Sequence, residues 1–179
     1  SAASTVLSVE GQSATFVYVD GTEGWKNVQD STSNLTGAAF IAATGGTITC
    51  SGDYKIHTFT GPGTFCVSQI SSSTPANNVV SYMVIAGGGS GGPHNQSAGG
   101  GAGGFREYKS PVDSYTASPL NGNPCGTAVT ATVAAFPITV GAGGTGSGCG
   151  NSGAASVFST ITSAGGGKGG KSGGPAGSA

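Results

Sequence analysis

The sequence predicts an all-β protein: an antiparallel sheet or jelly-roll-like sandwich, followed by a glycine-rich region of packed polyglycine-II-type helices, with essentially no α-helix. Two observations carry this prediction. Short runs of strand-forming residues recur between turn signals, and no amphipathic helical pattern is present. Four glycine-dense stretches, at 86–92, 98–105, 141–153 and 164–177, hold 25 of the 36 glycines.

Residues 1–30 predict a small β-meander that ends an upstream domain. Asp20-Gly21 is a tight-turn signal, and the residues around it are rich in strand formers. Such a meander is too short to fold alone, so we expect it to complete a larger sheet. The predicted strands are residues 6–9, 15–20 and 24–28.

Residues 31–46 are small and polar around one apolar island, which predicts a linker. Residues 47–179 then form the predicted glycine-rich β domain with interspersed loops. The run at 79–86 is continuously apolar, which is typical of a central strand covered on both faces. The predicted strands of this domain are residues 47–50, 54–60, 64–70, 79–86, 132–140 and 156–164.

The glycine stretches are either disordered linkers or backbones packed directly against one another. Three of them join a strand-like run directly, as in MVIAGGG, ITVGAGG and TITSAGGG, which a linker does not require. Extended helices with three residues per turn have no internal hydrogen bonds, so their backbone groups must pair between neighbours. Close approach then requires glycine, and we favour packed glycine helices.

Charge and composition exclude several classes of function. Charged residues make up 7% of the chain, the net charge is −1, and no basic cluster is present, so no nucleic-acid partner is expected. Low charge with abundant small polar residues is typical of an extracellular or virion surface protein. No signal peptide or membrane-spanning run is visible, and we expect the chain to be part of a longer polypeptide.

The sequence contains no convincing catalytic, metal or cofactor site. Its four cysteines do not form a CxxC pair, and His57 and His94 are not spaced as ligand partners. We expect no enzyme activity, no cofactor and no metal. Disulfides are candidates in an oxidising setting, and the connectivity that closes the shortest loops pairs Cys50 with Cys66 and Cys125 with Cys149.

An ordered series of blocks resembles a known family. GGTITCSGDYKIHTFTGPGTFCVS is followed by VVSYMVIAGGGSGG, AGGGAGGFRE, ITVGAGGTGSG and SVFSTITSAGGGKGG. This series is similar to the glycine-rich domain of bacteriophage tail-fibre and related virion proteins, over about residues 45–174. The family is related in design to the tip adhesins of T-even-like long tail fibres. The chain departs from it in its four cysteines and in a long insert at residues 106–130.

The resemblance implies a bundle of polyglycine-II helices whose intervening segments form distal loops that contact a bacterial surface. Loops on a rigid scaffold carry recognition, and Tyr, Asn and Ser suit adaptable polar contacts. The candidate receptor contacts lie in two inserts: His94, Asn95, Gln96, Tyr108, Tyr115, Asn121 and Asn123.

The predicted function is therefore that of a non-catalytic tail-fibre or appendage subunit with a receptor-binding tip, located on the virion or outside the cell. Expected partners are further copies of the chain in a homotrimer, other appendage proteins, and a bacterial surface glycan or outer-membrane protein. Two alternatives stay open. One is a capsid-decorating or purely structural virion protein, and the other is a secreted cellular adhesin or extracellular filament subunit.

Overall fold

The architecture was taken from a computed structural model, which describes residues 14–19, 21–22, 25–30, 38–92, 98–122, 128–146 and 150–170. In this part of the chain the only helix is a 3-10 turn at Pro75–Asn78, and the remaining regular structure is β. The all-β prediction is confirmed. The strands are β1 (Ala14–Tyr18), β2 (Trp25–Asp30), β3 (Ala42–Thr44), β4 (Thr47–Ser51), β5 (Tyr54–Thr58), β6 (Gly63–Gln69), β7 (Val79–Val80), β8 (Tyr82–Ile85), β9 (Phe105–Tyr108), β10 (Val129–Thr130), β11 (Ala135–Thr139), β12 (Ser156–Phe158) and β13 (Ile161–Ser163).

The strands form one larger sheet and several ribbons, all antiparallel. The larger sheet has the order β13-β12-β11-β6-β3, and the two-stranded ribbons are β1-β2, β4-β5, β7-β10 and β8-β9. A jelly roll would instead place eight strands in two sheets. Pro137 is accommodated within β11 because it pairs with β6 alone, while β12 reaches only Ile138 and Thr139.

The core is small and aromatic. Phe65, Phe136 and Phe158 pack with ring centroids 6.2–6.3 Å apart, on the inner side of the larger sheet. Val84 from β8 and Val129 from β10 pack in the same cluster, so the ribbons cover this face. The buried Ser163 hydroxyl donates to the carbonyl of Val84 at 2.7 Å, which ties β13 to β8.

Several sequence predictions need correction. Within the predicted linker 31–46, Ala42–Thr44 form an edge strand of the larger sheet. The run at 79–86 is not a central strand covered on both faces, because it breaks into β7 and β8 and leaves Met83 and Ile85 exposed. The run at 156–164 is a hairpin, in which Ser159 adopts φ 52° at the turn.

The glycine stretches pack as five extended segments, at residues 86–92, 98–104, 141–146, 150–155 and 164–170. Segment 86–92 hydrogen-bonds to all four others. A Cβ added at many of these glycines would lie under 3.0 Å from a backbone atom of another segment. Those glycines are Gly87, Gly89, Gly100, Gly103, Gly104, Gly141, Gly144, Gly153, Gly165, Gly166 and Gly169.

The hydrogen bonds between segments recur every three residues. Ala98, Gly101 and Gly104 donate to the carbonyls of residues 170, 167 and 164 at 2.7–3.0 Å. The same three residues accept from the N–H groups of residues 92, 89 and 86 at 2.9–3.2 Å. A period of three is that of an extended polyproline-type helix. The linker alternative is therefore wrong for these segments, while the polyglycine-II geometry of each one stays a prediction.

Candidate functional site

The glycine segments have two distinct ends. Segments 86–92, 141–146 and 164–170 each follow a strand, whereas 98–104 and 150–155 each lead into one. Because the pairing of 86–92 with 98–104 is antiparallel, residues 92 and 98 lie together at the end away from the strands. We call this the glycine end, formed by residues 91–92, 98–100, 145–146, 150–152 and 168–170.

The long insert lies at the opposite end. Segment 98–104 runs away from the glycine end into β9, and the insert continues from there toward Ser81 and Tyr54. We call this the strand end, formed by residues 109–122 with Tyr54 and Ser81. Gly92 and Ala98, which flank the short insert, therefore lie at the opposite end of the domain from Tyr108, Tyr115 and Asn121.

The candidates at the glycine end lie outside the described residues, since His94, Asn95 and Gln96 belong to 93–97. Asn123, in the long insert, lies outside them as well. The flanking residues nevertheless fix where two inserts start and finish. Residues 93–97 connect Gly92 to Ala98, and 147–149 connect Gly146 to Gly150; these four flanking residues lie at the glycine end.

At the strand end, Tyr108 is a strand residue rather than a loop residue. It lies opposite Tyr82 in the β8-β9 ribbon, and the two rings stack with centroids 6.0 Å apart and an interplanar angle of 21°. Tyr82 in turn packs edge-on against Phe158 in the core. This arrangement makes Tyr108 an extension of the core.

Tyr115 is half-buried between β5 and its own insert. Its ring meets Tyr54 edge-on at 6.3 Å, and the Lys109 Nζ lies 5.9 Å from its centroid. Burial raises the pKa of the Tyr115 phenol; a hydrogen bond with Ser81 opposes that shift, and the carboxylates of Glu107 and Asp113 add to it. The phenol therefore keeps its proton to a higher pH than an ordinary tyrosine does.

Side-chain hydrogen bonds hold the first part of the insert in place. The Ser114 N–H donates to the Tyr54 hydroxyl at 2.8 Å, and the Ser110 N–H donates to the Ser81 Oγ at 2.8 Å. The Ser81 hydroxyl donates to the Asp113 carboxylate. Ser110 and Asp113 of the insert are thus attached to Ser81, between β7 and β8, and Ser114 is attached to Tyr54 in β5.

The second part of the insert is attached to β9. Asn121 accepts from the Lys109 N–H through its Oδ1 at 2.8 Å, and the Gly122 N–H donates to the Glu107 carbonyl at 2.9 Å. The buried Glu107 carboxylate accepts from the N–H of Ser118 at 3.0 Å and from the Ser118 hydroxyl. Asn121 therefore has a structural role, although its side chain is exposed.

The glycine end has a polar cluster that the sequence analysis missed. The Ser90 hydroxyl donates to the Thr145 carbonyl at 3.0 Å and accepts from the Asn151 N–H at 2.8 Å. Asn151 Nδ2 donates to Thr145 Oγ1 at 2.9 Å. The sequence signal for this cluster was the presence of side chains that can form hydrogen bonds within stretches that otherwise consist mainly of glycine. These contacts hold three segments together beside the two inserts.

The glycine end is free of negative charge. The sequence has no Asp or Glu between Asp53 and Glu107, or after Asp113, so the glycine segments contain none. Lys168, in segment 164–170, is exposed. The described glycine segments therefore contribute one exposed cation and no carboxylate side chain.

Of the other candidate residues, His57 has a structural role, and Cys50 and Cys66 are not bonded to each other. His57 Nδ1 lies 2.9 Å from the Gly45 carbonyl, to which it donates, and its ring packs edge-on against Phe65 at 5.0 Å. Cys50 and Cys66 carry free, exposed thiols, so the bridge between them is absent from the structure. Cys125 and Cys149 lie outside the described residues.

Nowhere in the described residues do three or more His, Cys, Asp or Glu side chains group as metal ligands would. No helix in this part of the chain is long and apolar enough to span a bilayer.

Comparison with known proteins places most of the chain in one family. Residues 60–179 match the family described as the glycine-rich domain, which is about two thirds of the sequence. No curated protein and no solved structure matches the chain.

Proposed function

The chain belongs to the glycine-rich domain family, and on that premise we propose that it is a non-catalytic subunit of a virion appendage such as a tail fibre, whose glycine end binds a receptor on the bacterial surface. One observation carries the proposal. Five glycine segments pack backbone to backbone, and the residues that flank two inserts, Gly92 with Ala98 and Gly146 with Gly150, lie at one end of the domain. A rigid scaffold that presents adjacent inserts is typical of recognition.

The location of recognition follows from how the two ends differ. At the strand end, Tyr108, Tyr115 and Asn121 already contact the protein's own strands and backbone. At the glycine end, Ser90, Thr145 and Asn151 hold the segments together through hydrogen bonds among themselves. We therefore assign receptor contact to His94, Asn95 and Gln96, and a supporting role to the long insert.

The test is cell binding with matched variants at the two ends. Purified, fluorescently labelled protein is incubated with a panel of bacteria, and bound fluorescence is compared among three proteins. The triple variant His94→Ser, Asn95→Ser, Gln96→Ser is expected to lose at least tenfold in affinity. The control Val112→Ser, Leu120→Ser changes exposed residues of the strand end and should bind like the wild type.

Equal binding of all three proteins would show that the glycine end is not the receptor site. Loss of binding in the control alone would show that the strand end contains the receptor site instead. Unfolding midpoints of the variants should match that of the wild type. The non-catalytic assignment is checked by incubation with purified surface glycan, in which new reducing ends would contradict it. Immunogold labelling of particles tests the virion location, and labelling of the capsid would favour the decorating-protein alternative.

A further inference from the structure

The bundle of glycine segments has one open side. Four segments surround the central segment 86–92, and hydrogen bonds join each of the four to the next. In that order they are 98–104, 164–170, 150–155 and 141–146. Among the described residues no hydrogen bond joins the last of them to the first. The open side of 86–92 therefore lies between 141–146 and 98–104.

The N–H groups of the central segment repeat their direction every three residues, as in an extended helix with three residues per turn. One set donates to segment 98–104, and the next set donates to segment 150–155. The first set is Ala86, Gly89 and Gly92, and the second is Gly87 and Ser90. The third set is Gly88 and Gly91, and no described residue accepts a hydrogen bond from either N–H group.

The same repeat places this third set on the open side. Segment 164–170 lies between the two segments that accept from the first two sets. Directions a third of a turn apart are equally spaced, so one segment also separates the third direction from 150–155, and that segment is 141–146. The N–H groups of Gly88 and Gly91 therefore face the outside of the bundle directly beside 141–146.

Glycines of segment 141–146 line the same region, and they leave it empty of side chains. A Cβ at Gly143 would lie 3.7 Å from the Gly88 carbonyl oxygen, and a Cβ at Gly146 would meet no described residue within 4 Å. Gly91, Gly143 and Gly146 are exposed. We call Gly88, Gly91, Gly143 and Gly146 the open groove. Its unpaired N–H groups and bare backbone suit a further extended chain, whose carbonyl groups would accept from them.

The directions of the segments indicate which chain this is. Two segments run to the glycine end, 86–92 and 141–146, and each is followed in the sequence by a segment that returns. Segment 164–170 also runs to the glycine end, but the described residues contain no segment that returns from it. The glycine-rich stretch continues directly after it as KSGGPAG, and the family match extends to residue 179.

We propose that residues 171–179 return from the glycine end and lie in the open groove as a sixth extended segment, which accepts hydrogen bonds from the N–H groups of Gly88 and Gly91. A Cβ at Gly88 would face segment 98–104 instead, where the Gly101 carbonyl oxygen lies 3.6 Å away, so it stays outside this contact. The sixth segment completes the scaffold, and its docking does not depend on receptor binding.

Gly170 lies close enough to the groove for this return. Its carbonyl accepts from the Ala98 N–H at 3.0 Å, and the Ala98 carbonyl accepts from the Gly92 N–H at 3.2 Å. The central segment covers about 12 Å from Gly92 to Gly88. The nine residues 171–179 span about 28 Å when extended, so they can cross the glycine end and follow the groove as far as Gly88.

Amide hydrogen exchange of the full chain, resolved by residue with NMR, tests the proposal. The Gly88 and Gly91 amides should be protected like the Gly89 amide, which donates to Gly101 at 2.9 Å. This protection should be independent of protein concentration, because the sixth segment belongs to the same chain. The Gly89 amide also reports whether the bundle stays folded in each variant.

Two full-length variants locate the contact. The first adds side chains to the sixth segment, and it should make the Gly88 and Gly91 amides exchange at least about tenfold faster while Gly89 stays protected. Its substitutions are Gly173→Val, Gly174→Val and Gly177→Val. The second, Gly143→Ala, places a methyl group in the groove and should have the same effect. The matched control, Gly99→Ala, alters an exposed glycine with open space around it and should leave these amides protected.

Three results would overturn the proposal. The first is rapid exchange of the Gly88 and Gly91 amides in the unmodified chain, since nothing would then cover the groove. The second is protection that survives in the valine variant. The third is protection that rises with protein concentration, which would show that a second copy of the chain occupies the groove. Cell binding is measured separately, so failure of this docking and failure of the proposed receptor function are distinguishable.

Discussion

The glycine segments and the strand region of this protein are stabilised by different interactions. In the strand region, side chains fill the space between sheets, with Val67 and the three core phenylalanines at the centre. In the glycine segments the absence of side chains lets backbones approach to hydrogen-bonding distance in several directions. Burial of side chains therefore stabilises the strand region, whereas direct contact between backbones without side chains stabilises the glycine segments.

The largest expected effect comes from adding one methyl group to the bundle. A Cβ at Gly89 would lie 2.0 Å from the Gly167 carbonyl oxygen, whereas the nearest atom to a Cβ at the neighbouring Gly88 is 3.6 Å away. We expect Gly89→Ala to lower the free energy of unfolding by about 4 kcal/mol and Gly88→Ala to change it by less than about 1 kcal/mol. Urea titration measures both, and equal stability of the two variants would contradict direct backbone packing.

The corresponding test of the strand region is a substitution that shortens a buried side chain. Val67 is 2% exposed and packs with Ala43 and Ala131, so Val67→Ala should cost about 2 kcal/mol through lost burial and a residual cavity. Val133→Ala, at an exposed site, is the control and should leave the urea midpoint unchanged. A loss at Val67 no larger than the loss at Val133 would mean that side-chain burial contributes little here.

A third test asks whether the long insert opens independently of the strand region and the glycine segments. Ser81→Ala removes the acceptor of the Ser110 N–H and the donor to Asp113, with an expected cost of about 1–3 kcal/mol. Hydrogen exchange should become faster in residues 109–122, while the glycine segments keep their protection. Ser72→Ala, at an exposed serine, should leave exchange unaltered. Faster exchange throughout the chain would show that the insert is not a separate unit.

The smallest effect concerns the pH dependence of stability. The pKa of Tyr115 is raised above its ordinary 10.0, so the unfolded chain loses this proton before the folded chain does. The free energy of unfolding should therefore fall as the pH rises above about 10, and remain unaffected by this group at lower pH. Tyr115→Phe should remove part of that decline, which is measured by urea titration at several alkaline pH values. An identical alkaline profile in the variant would contradict the shift.

Sequence patterns located the hairpins well and the short strands poorly. Alternation and turn residues identified β1, β2, β4 and β5 because these strands are local pairs joined by tight turns. They also identified β6, although its partners β3 and β11 are distant in the sequence. Strands β3, β9 and β10 were missed, since each has two to four residues and pairs with a partner far away in the sequence. Long-range pairing leaves no periodic signal in so short a run.

The candidate site likewise has features that local sequence patterns indicate and features that depend on contacts between distant residues. Composition drew attention to the inserts as interruptions of the glycine stretches, and it grouped Tyr108, Tyr115 and Asn121 with His94. The flanking residues Gly92 and Ala98 lie at the opposite end from Tyr108, and this placement depends on the direction in which segment 98–104 runs, which only its hydrogen bonds to 86–92 establish. The role of Tyr115 likewise depends on Tyr54, a residue 61 positions away in the chain.

The sequence by itself determined that this chain is built from strands, and it favoured backbone packing over linkers for the glycine stretches. Both follow from residue chemistry, since β-branched and aromatic runs favour strands and glycine can pack only through its backbone. Only the tertiary structure decided that the stretches pack, which glycines tolerate a side chain, and which ends of the segments lie together. Those properties depend on the register between distant segments, and that register is set by hydrogen bonds that no local pattern encodes.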